Sequence, residues 1–219
     1  MIKKVIAITA LLIGLGFMLI PYDALLLYKT KRNFTISPEP QGNSMHKKSN
    51  HPIFVIQKHN ASHLHYDFRL EINGVLKSWA IPKGPSTDPH EKRLAIETED
   101  HPVDYATFEG IIPEGEYGAG SVIVWDTGTF DNIKEKDGKA IPLAQSYKNG
   151  HIEVNLHGKK LQGNYALIRM SGNDEKKWIC IKMHDEYADA RRNPVSTEPE
   201  SVISGKTIEE IESKKKLKK

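Results

Sequence analysis

The stretch Gln57–Glu71, QKHNASHLHYDFRLE, gathers imidazoles, a carboxylate and a guanidinium into a few positions. Its second half reads as a strand with two unlike faces, because successive side chains of a strand point to opposite sides. Leu64, Tyr66, Phe68 and Leu70 share an apolar face, and His65, Asp67, Arg69 and Glu71 share a polar one. Same-face neighbours on one strand lie roughly 6–7 Å apart, so this row can hold a divalent metal beside an oxyanion. His59, six residues before His65, can add a nitrogen ligand from a preceding turn or strand end. Imidazole suits Mn, Fe and Zn, and carboxylate suits Mg or Mn. Arg69 offers a planar fork that matches phosphate geometry. The competing reading is plain: a polar row on a half-exposed strand is ordinarily the solvated face of an amphipathic sheet. What weighs against it is the density of chemically able side chains in so short a span.

Two longer stretches carry a resemblance. QKHNASHLHYDFRLEINGVLKSWAIPKGPS and, after it, EDHPVDYATFEGIIPEGEYGAGSVIVWDTGTF resemble the 3′-phosphoesterase module of bacterial DNA ligase D and its stand-alone relatives. The likeness runs from about Tyr28 to about Glu210 without a large gap. It implies a manganese-dependent enzyme acting on DNA 3′ ends, including primer–templates that end in a ribonucleotide. A phosphodiesterase step would remove the terminal nucleoside and leave a 3′-phosphate. A phosphomonoesterase step would then give a 3′-hydroxyl for a separate polymerase or ligase, working with an end-binding protein in non-homologous end joining. The resemblance places metal ligands at His59, His65 and Asp67, and phosphate contacts at Arg69, His101 and Tyr105. It places an essential N-terminal patch at Arg32, Asn33, Phe34 and Glu39. Asn33 stands where the family usually has aspartate, which removes a negative charge and predicts a weaker second step. His63 stands where arginine or another polar residue is common, and reads as surface or substrate-facing.

The residue types fit that chemistry. A divalent ion can polarise a phosphoryl oxygen or lower the pKa of a bound water. Arg69 and His101 can neutralise charge on the phosphoryl oxygens, or His101 can protonate the departing oxygen. The Tyr105 hydroxyl can hydrogen-bond a phosphate. EDHPVDY reads as a turn, since Pro102 disfavours helix at the residue before it. Lys83, in IPKGP, is a candidate substrate contact; Lys77, Lys83 and Arg93 taken singly are more often solvated cations. GEYGAG lacks the strand–loop–helix setting of a phosphate-binding loop and reads as a tight turn. Two rivals stay open. One is a non-catalytic module that binds DNA ends beside a ligase or polymerase. The other is a hydrolase of a different phosphodiester.

The 219 residues make one domain with room for a core. A net charge of +3 is too mild to imply nucleic acid by itself, although the lysine-rich ends are suggestive. The single cysteine, Cys180, excludes an intramolecular disulfide and reads as a buried structural thiol in WICIKM. Four regions are expected: an apolar segment 1–21, an arm 22–50 that contributes to the site, a phosphoesterase core 51–184, and an extension 185–219 with a short helix and a basic tail. In the first, Lys3 and Lys4 precede the apolar run Val5–Ile20, with no small-x-small cleavage site after it. It reads as an uncleaved membrane anchor or as a mis-assigned start. Lysine and arginine are denser on its C-terminal side, which would leave the domain in the cytoplasm.

The elements that must position these residues read as mainly β. Strand signals fall at Ile53–Gln57, Leu64–Glu71, Val75–Ile81, Arg93–Thr98, Ser121–Trp125, Ile152–Leu156, Tyr165–Met170 and Trp178–Met183. Asn73-Gly74 is a hairpin signal that tolerates positive φ. Trp79 and Trp125 read as core. Short strands at regular spacing point to an all-β sandwich or barrel, and with the resemblance the expected fold is mainly β, a single closed or partly closed β-barrel. Short helices flank it, at Asp23–Lys31 and Thr207–Lys218.

Overall fold

The computed structural model describes residues 23–42 and 51–216, with side chains to residue 213. The proposed anchor over residues 5–20 lies outside the described residues. Among the described residues no helix is long and apolar enough to cross a membrane.

The strands are β1 (Ile53–Asn60), β2 (Leu64–Ile72), β3 (Val75–Ile81), β4 (Lys92–Glu97), β5 (His101–Pro102), β6 (Gly110–Ile112), β7 (Gly120–Asn132), β8 (Glu135–Lys136), β9 (Lys139–Ala140), β10 (His151–Gly158), β11 (Gln162–Arg169) and β12 (Lys177–Lys182). Eight of them form a closed antiparallel barrel in the order β1-β2-β3-β4-β12-β11-β10-β7, which β7 completes by pairing back onto β1. Closure leaves those strands no free edge. β5 adds to β3, and β6 adds to β7. The short helices are α1 (Leu26–Thr30), α2 (Leu143–Lys148), α3 (Pro194–Thr197) and α4 (Ile208–Lys216), with a 3₁₀ turn over Val103–Thr107.

The hairpin β2–β3 turns on Asn73 and Gly74, at φ 54° and 79°, the doubly positive pair that suits strand twist. Asp137-Gly138 repeats the device between β8 and β9. α4 opens with a reciprocal cap: Glu210 N–H donates to Thr207 Oγ1 at 3.3 Å, and Thr207 N–H donates to Glu210 Oε2 at 2.9 Å.

The barrel interior is filled by side chains. Tyr66, Phe68, Leu70, Trp79, Trp125 and Trp178 are all buried in one cluster, with the Trp79 and Trp178 rings edge to face at 5.4 Å. Cys180 belongs to the same cluster, and burial pushes its thiol up to about 12. A second apolar cluster lies outside the wall: Val55, Leu76, Val122 and Val124 from the strands meet Tyr28, Tyr105 and Phe108 from the covering segments. This outer layer decides against the competing reading of β2. The polar row of β2 is not a solvated face, because Asp67, Arg69 and Glu71 are buried beneath it. Leu64, placed on the apolar face by alternation, is 47% exposed at the strand's start, outside the core.

Candidate active site

The site lies on the outer side of the barrel wall, under the covering layer. β1 and β2 supply its floor. Their register sets His59 opposite His65, Gln57 opposite Asp67 and Val55 opposite Arg69. A register shift in β1 against β7 falls between Ile56 and Gln57. Bulges of this kind bend a strand and re-aim its side chains, and here the bend leads directly into Gln57 and His59.

His59, His65 and Asp67 bring ligand-capable atoms within 4.8 Å of one another. His65 Nε2 is 3.5 Å from Asp67 Oδ1, and His59 Nδ1 is 3.7 Å from Asp67 Oδ2. The other nitrogen of each ring is held by a backbone carbonyl: His65 Nδ1 by His63 at 2.9 Å, and His59 Nε2 by Gly118 at 2.9 Å. Those carbonyls can only accept, so each held nitrogen carries a proton, and the other nitrogen of each ring is the one left to face Asp67 and to ligate a metal when deprotonated. Anchoring of this type is the usual outer support of a metal-ligating histidine. The donor set, two imidazoles and one carboxylate, therefore fits a divalent transition metal. Burial works against the Asp67 charge, but Arg69, His59 and His65 outweigh it and hold the carboxyl well below the usual range. The His63 imidazole is exposed, and the backbone of that residue does the work.

Arg69 is 3% exposed and fully framed. Its Nε donates to Gln57 Oε1 at 2.9 Å, one terminal nitrogen to Ser78 Oγ at 2.8 Å, and the other to Asp67 Oδ2 at 3.0 Å. The Gln57 amide is in turn tied to the carbonyls of Tyr105 and Phe108, both at 3.0 Å. Of five guanidinium N–H groups, two remain for a ligand.

His101 enters from β5. EDHPVDY is thus a short β-bridge and a 3₁₀ turn rather than an open turn. His101 Nδ1 lies 2.9 Å from the Glu99 carbonyl, which makes it the donor, and Nε2 then accepts from Arg32 at 3.2 Å. Burial, with Arg69 and Arg32 nearby, holds its pKa well below the ordinary histidine value. The ring is a neutral acceptor. Tyr105 is buried, and its hydroxyl donates to Glu39 Oε1 at 2.9 Å, so its one proton is engaged.

The arm delivers Arg32 and Glu39. Arg32 Nε pairs with Glu39 Oε1 at 2.9 Å and a terminal nitrogen with Glu99 Oε1 at 3.1 Å, while its guanidinium stacks 3.9 Å over the Tyr28 ring. Ser37 Oγ donates to the second Glu39 oxygen at 2.6 Å. Glu39 does not reach the cleft surface; it holds Arg32 and Tyr105 in place. Asn33 is exposed, and its carbonyl oxygen accepts from the Thr35 N–H at 3.1 Å and hydroxyl at 2.7 Å.

One cleft of about 270 Å³ brings together Arg32, His59, His65, Asp67, Arg69 and His101. Lys83 is not among its lining residues and sits exposed after β3. Lys77 and Arg93 are paired elsewhere, with Asp100 and Glu91. Sequence reasoning passed over Gln57, Ser78, Glu99 and Tyr117. Gln57 lies two residues before His59 on the same strand face, and Glu99 two before His101, so period-2 spacing was a signal for both. Ser78 and Tyr117 had none.

Residues 57–169, just over half of the chain, match the family described as the DNA Ligase D 3′-phosphoesterase domain. The multifunctional non-homologous end joining protein LigD of Pseudomonas aeruginosa is 44% identical over 185 residues, covering 83% of this chain and 21% of that protein. The corresponding LigD proteins of Mycobacterium tuberculosis and Mycolicibacterium smegmatis are 44% and 43% identical over 164 residues, 75% of this chain. The chain thus spans about a fifth of the length of these curated relatives. A His-His-Asp cluster with His65 half-buried and its other two members buried, beside two framed arginines and inside a sequence match of this extent, leaves one conclusion: the chain belongs to the DNA ligase D 3′-phosphoesterase domain family.

Proposed function

We propose that this domain is a manganese-dependent DNA 3′-end-processing phosphoesterase, which removes a 3′-terminal ribonucleoside and then the 3′-phosphate. The observation that carries the reading is the shared cleft, in which a metal-fitting triad and two buried guanidinia face the same space. In the first step a water oxygen bonds to phosphorus and the P–O5′ bond breaks. The departing 5′ oxygen takes up a proton, and a 3′-phosphate remains. In the second, water displaces the 3′ oxygen as phosphate leaves.

A divalent ion held by His59 Nδ1, His65 Nε2 and an Asp67 oxygen would supply Lewis-acid polarisation and an acidified water. The protein's own groups do the rest. Arg69 and Arg32 keep N–H groups free of protein partners and offset the phosphoryl charge. Because His101 is neutral, with Nε2 accepting from Arg32, it orients Arg32, and proton transfer through it is disfavoured. Glu39 and Tyr105 fix Arg32 against the wall. Asn33 makes an exposed turn that an amide oxygen closes as well as a carboxylate does, so its presence leaves the phosphomonoesterase step in place.

In the cell the domain would act in the cytoplasm on DNA ends, with a ligase, a polymerase and an end-binding protein. The test is a primer–template bearing one 3′-terminal ribonucleotide, incubated with the protein and Mn²⁺ beside an Asp67→Ala control. A shortened 3′-phosphate followed by a 3′-hydroxyl, both missing in the control, is the expected result. Binding without product would favour an end-recognition module. Turnover of small diesters in preference to DNA would favour a different hydrolase.

A further inference from the structure

The cleft that holds the triad is small. Its roughly 270 Å³ fall below the ~300–1,000 Å³ usual for sites that enclose an organic ligand. It has space for a phosphoryl group, and a terminal nucleoside must lie outside it. Two larger depressions adjoin it.

The first, of about 720 Å³, shares Ala61, Ile112 and Gly118 with the cleft. Its walls are the β1–β2 turn, the GEYGAG turn, β6 and α4. Its chemistry is unlike that of the cleft: Ile111 and Ala119 give apolar surface, Asn60 and Ser62 give neutral polar groups, and Glu114 and Glu212 are the charged residues among the described side chains of the lining. Asn60 Nδ2 donates to Glu212 Oε1 at 2.8 Å, which fastens α4 over the end of β1. A phosphodiester would meet two carboxylates there, with no cation among the described lining side chains to offset them, an unfavourable encounter. A neutral base and sugar would meet apolar walls and hydrogen-bonding groups suited to hydroxyls.

The second depression, of about 550 Å³, shares Thr98, Glu99 and Tyr117 with the cleft. It presents Lys31, Arg169 and Lys176 together with the rings of Tyr117 and Tyr147. Tyr117 is 47% exposed. Cations interleaved with aromatic faces suit a nucleic-acid strand. Glu97, Glu99 and Glu175 share that lining: Glu99 is paired with Lys31 and Arg32, and Glu97 accepts from Tyr147 and Trp178.

We infer that the depression between the GEYGAG turn and α4 is the subsite for the departing 3′-terminal nucleoside, and that the strand approaches from the Tyr117–Lys31 side. This assignment rests on the phosphoesterase reading above and adds a direction to it. It also gives α4 a role, since Glu212 forms part of the nucleoside wall.

The two reaction steps separate the assignment from mere structural damage. The diester substrate carries a terminal nucleoside, and the 3′-phosphate substrate does not. Ser62→Trp and Ala119→Phe each fill the depression, from the β1–β2 turn and from the GEYGAG turn, and neither residue lines the cleft. Both activities are measured separately on the wild-type protein and on each variant, with Mn²⁺. The expected result is a tenfold or greater fall in kcat/KM for nucleoside release, with 3′-phosphate removal within twofold of wild type. Equal loss of both activities, or no loss of either, in a variant whose melting temperature matches wild type would overturn the assignment. Wild-type protein without any 3′-end processing would instead overturn the phosphoesterase reading, and the subsite with it.

Discussion

Removing the Arg69 guanidinium would take from the Asp67 carboxylate its buried cationic partner and leave Gln57 and Ser78 without theirs. Breaking a buried pair from one side costs about 3–5 kcal/mol. Arg69→Ala should therefore lower the unfolding free energy by about that much in urea titrations, on top of any loss of activity. Arg191→Ala, which breaks the exposed pair with Asp189, should be indistinguishable from wild type in the same titration. His101 makes a second residue-level prediction. Its folded pKa is held well below the ordinary value, so between the two values the unfolded chain binds a proton that the native state refuses. Stability then falls as pH drops below about 6.5. Asp67, also depressed, adds a further loss below about pH 4, where its unfolded form protonates first. Thermal melts across this range should show the decline, and His101→Asn should flatten its upper part.

At the scale of elements, the turn between β6 and β7 connects backbone geometry to the triad. The Gly118 carbonyl holds His59. Two residues on, Gly120 sits at φ +144°, where an added Cβ would meet the Asn60 carbonyl oxygen at 2.2 Å. Gly120→Ala must push this turn away from β1. Loss of such an outer support typically costs about 10–100-fold in metal affinity, and calorimetric titration of Mn²⁺ should show a loss in that range. Gly138, also at positive φ but with nothing within 4 Å of an added Cβ, provides the contrast. Gly138→Ala should cost stability without altering metal affinity. The arm supplies the other element-level prediction. Asn33 closes an exposed turn, and surface changes away from special features shift free energies by about 0.5 kcal/mol or less. Asn33→Asp should accordingly leave the ratio of 3′-phosphate to 3′-hydroxyl product within about twofold.

At the scale of the whole molecule, the barrel and its covering layer act as one support. The C-terminal extension is sewn to the barrel by Lys160, whose ammonium donates to the carbonyls of Glu198 and Glu200 while lying 4.8 Å over the Trp125 ring. Trp125 Nε1 donates to the same Glu198 carbonyl at 2.7 Å. Because β1 and β2 belong both to the closed barrel and to the site floor, metal binding should be read out as global stability. A ligand present at a hundred times its Kd stabilises the native state by about 2.7 kcal/mol. Addition of Mn²⁺ should raise the melting temperature of the wild-type protein, EDTA should reverse the shift, and Asp67→Ala should abolish it.

The sequence by itself determined the mainly β character, the β2–β3 hairpin and the capped terminal helix, because alternation, Asn-Gly and Thr-x-x-Glu act over a few residues, whereas closure into a barrel waits on β7 pairing back onto β1. It also singled out His59, His65, Asp67 and Arg69, which neighbour one another along or across two paired strands. Only the tertiary structure decided that the polar row of β2 is buried, since that depends on the arm and the Val103–Thr107 turn folding over the outer wall from far along the chain. It likewise decided that Lys83 lies away from the cleft, that the Tyr105 proton goes to Glu39, and that His101 is a neutral acceptor. Each of these follows from partners dozens of residues distant in sequence. Local pattern states which face a side chain takes; what covers that face, and with what charge, is settled by long-range packing.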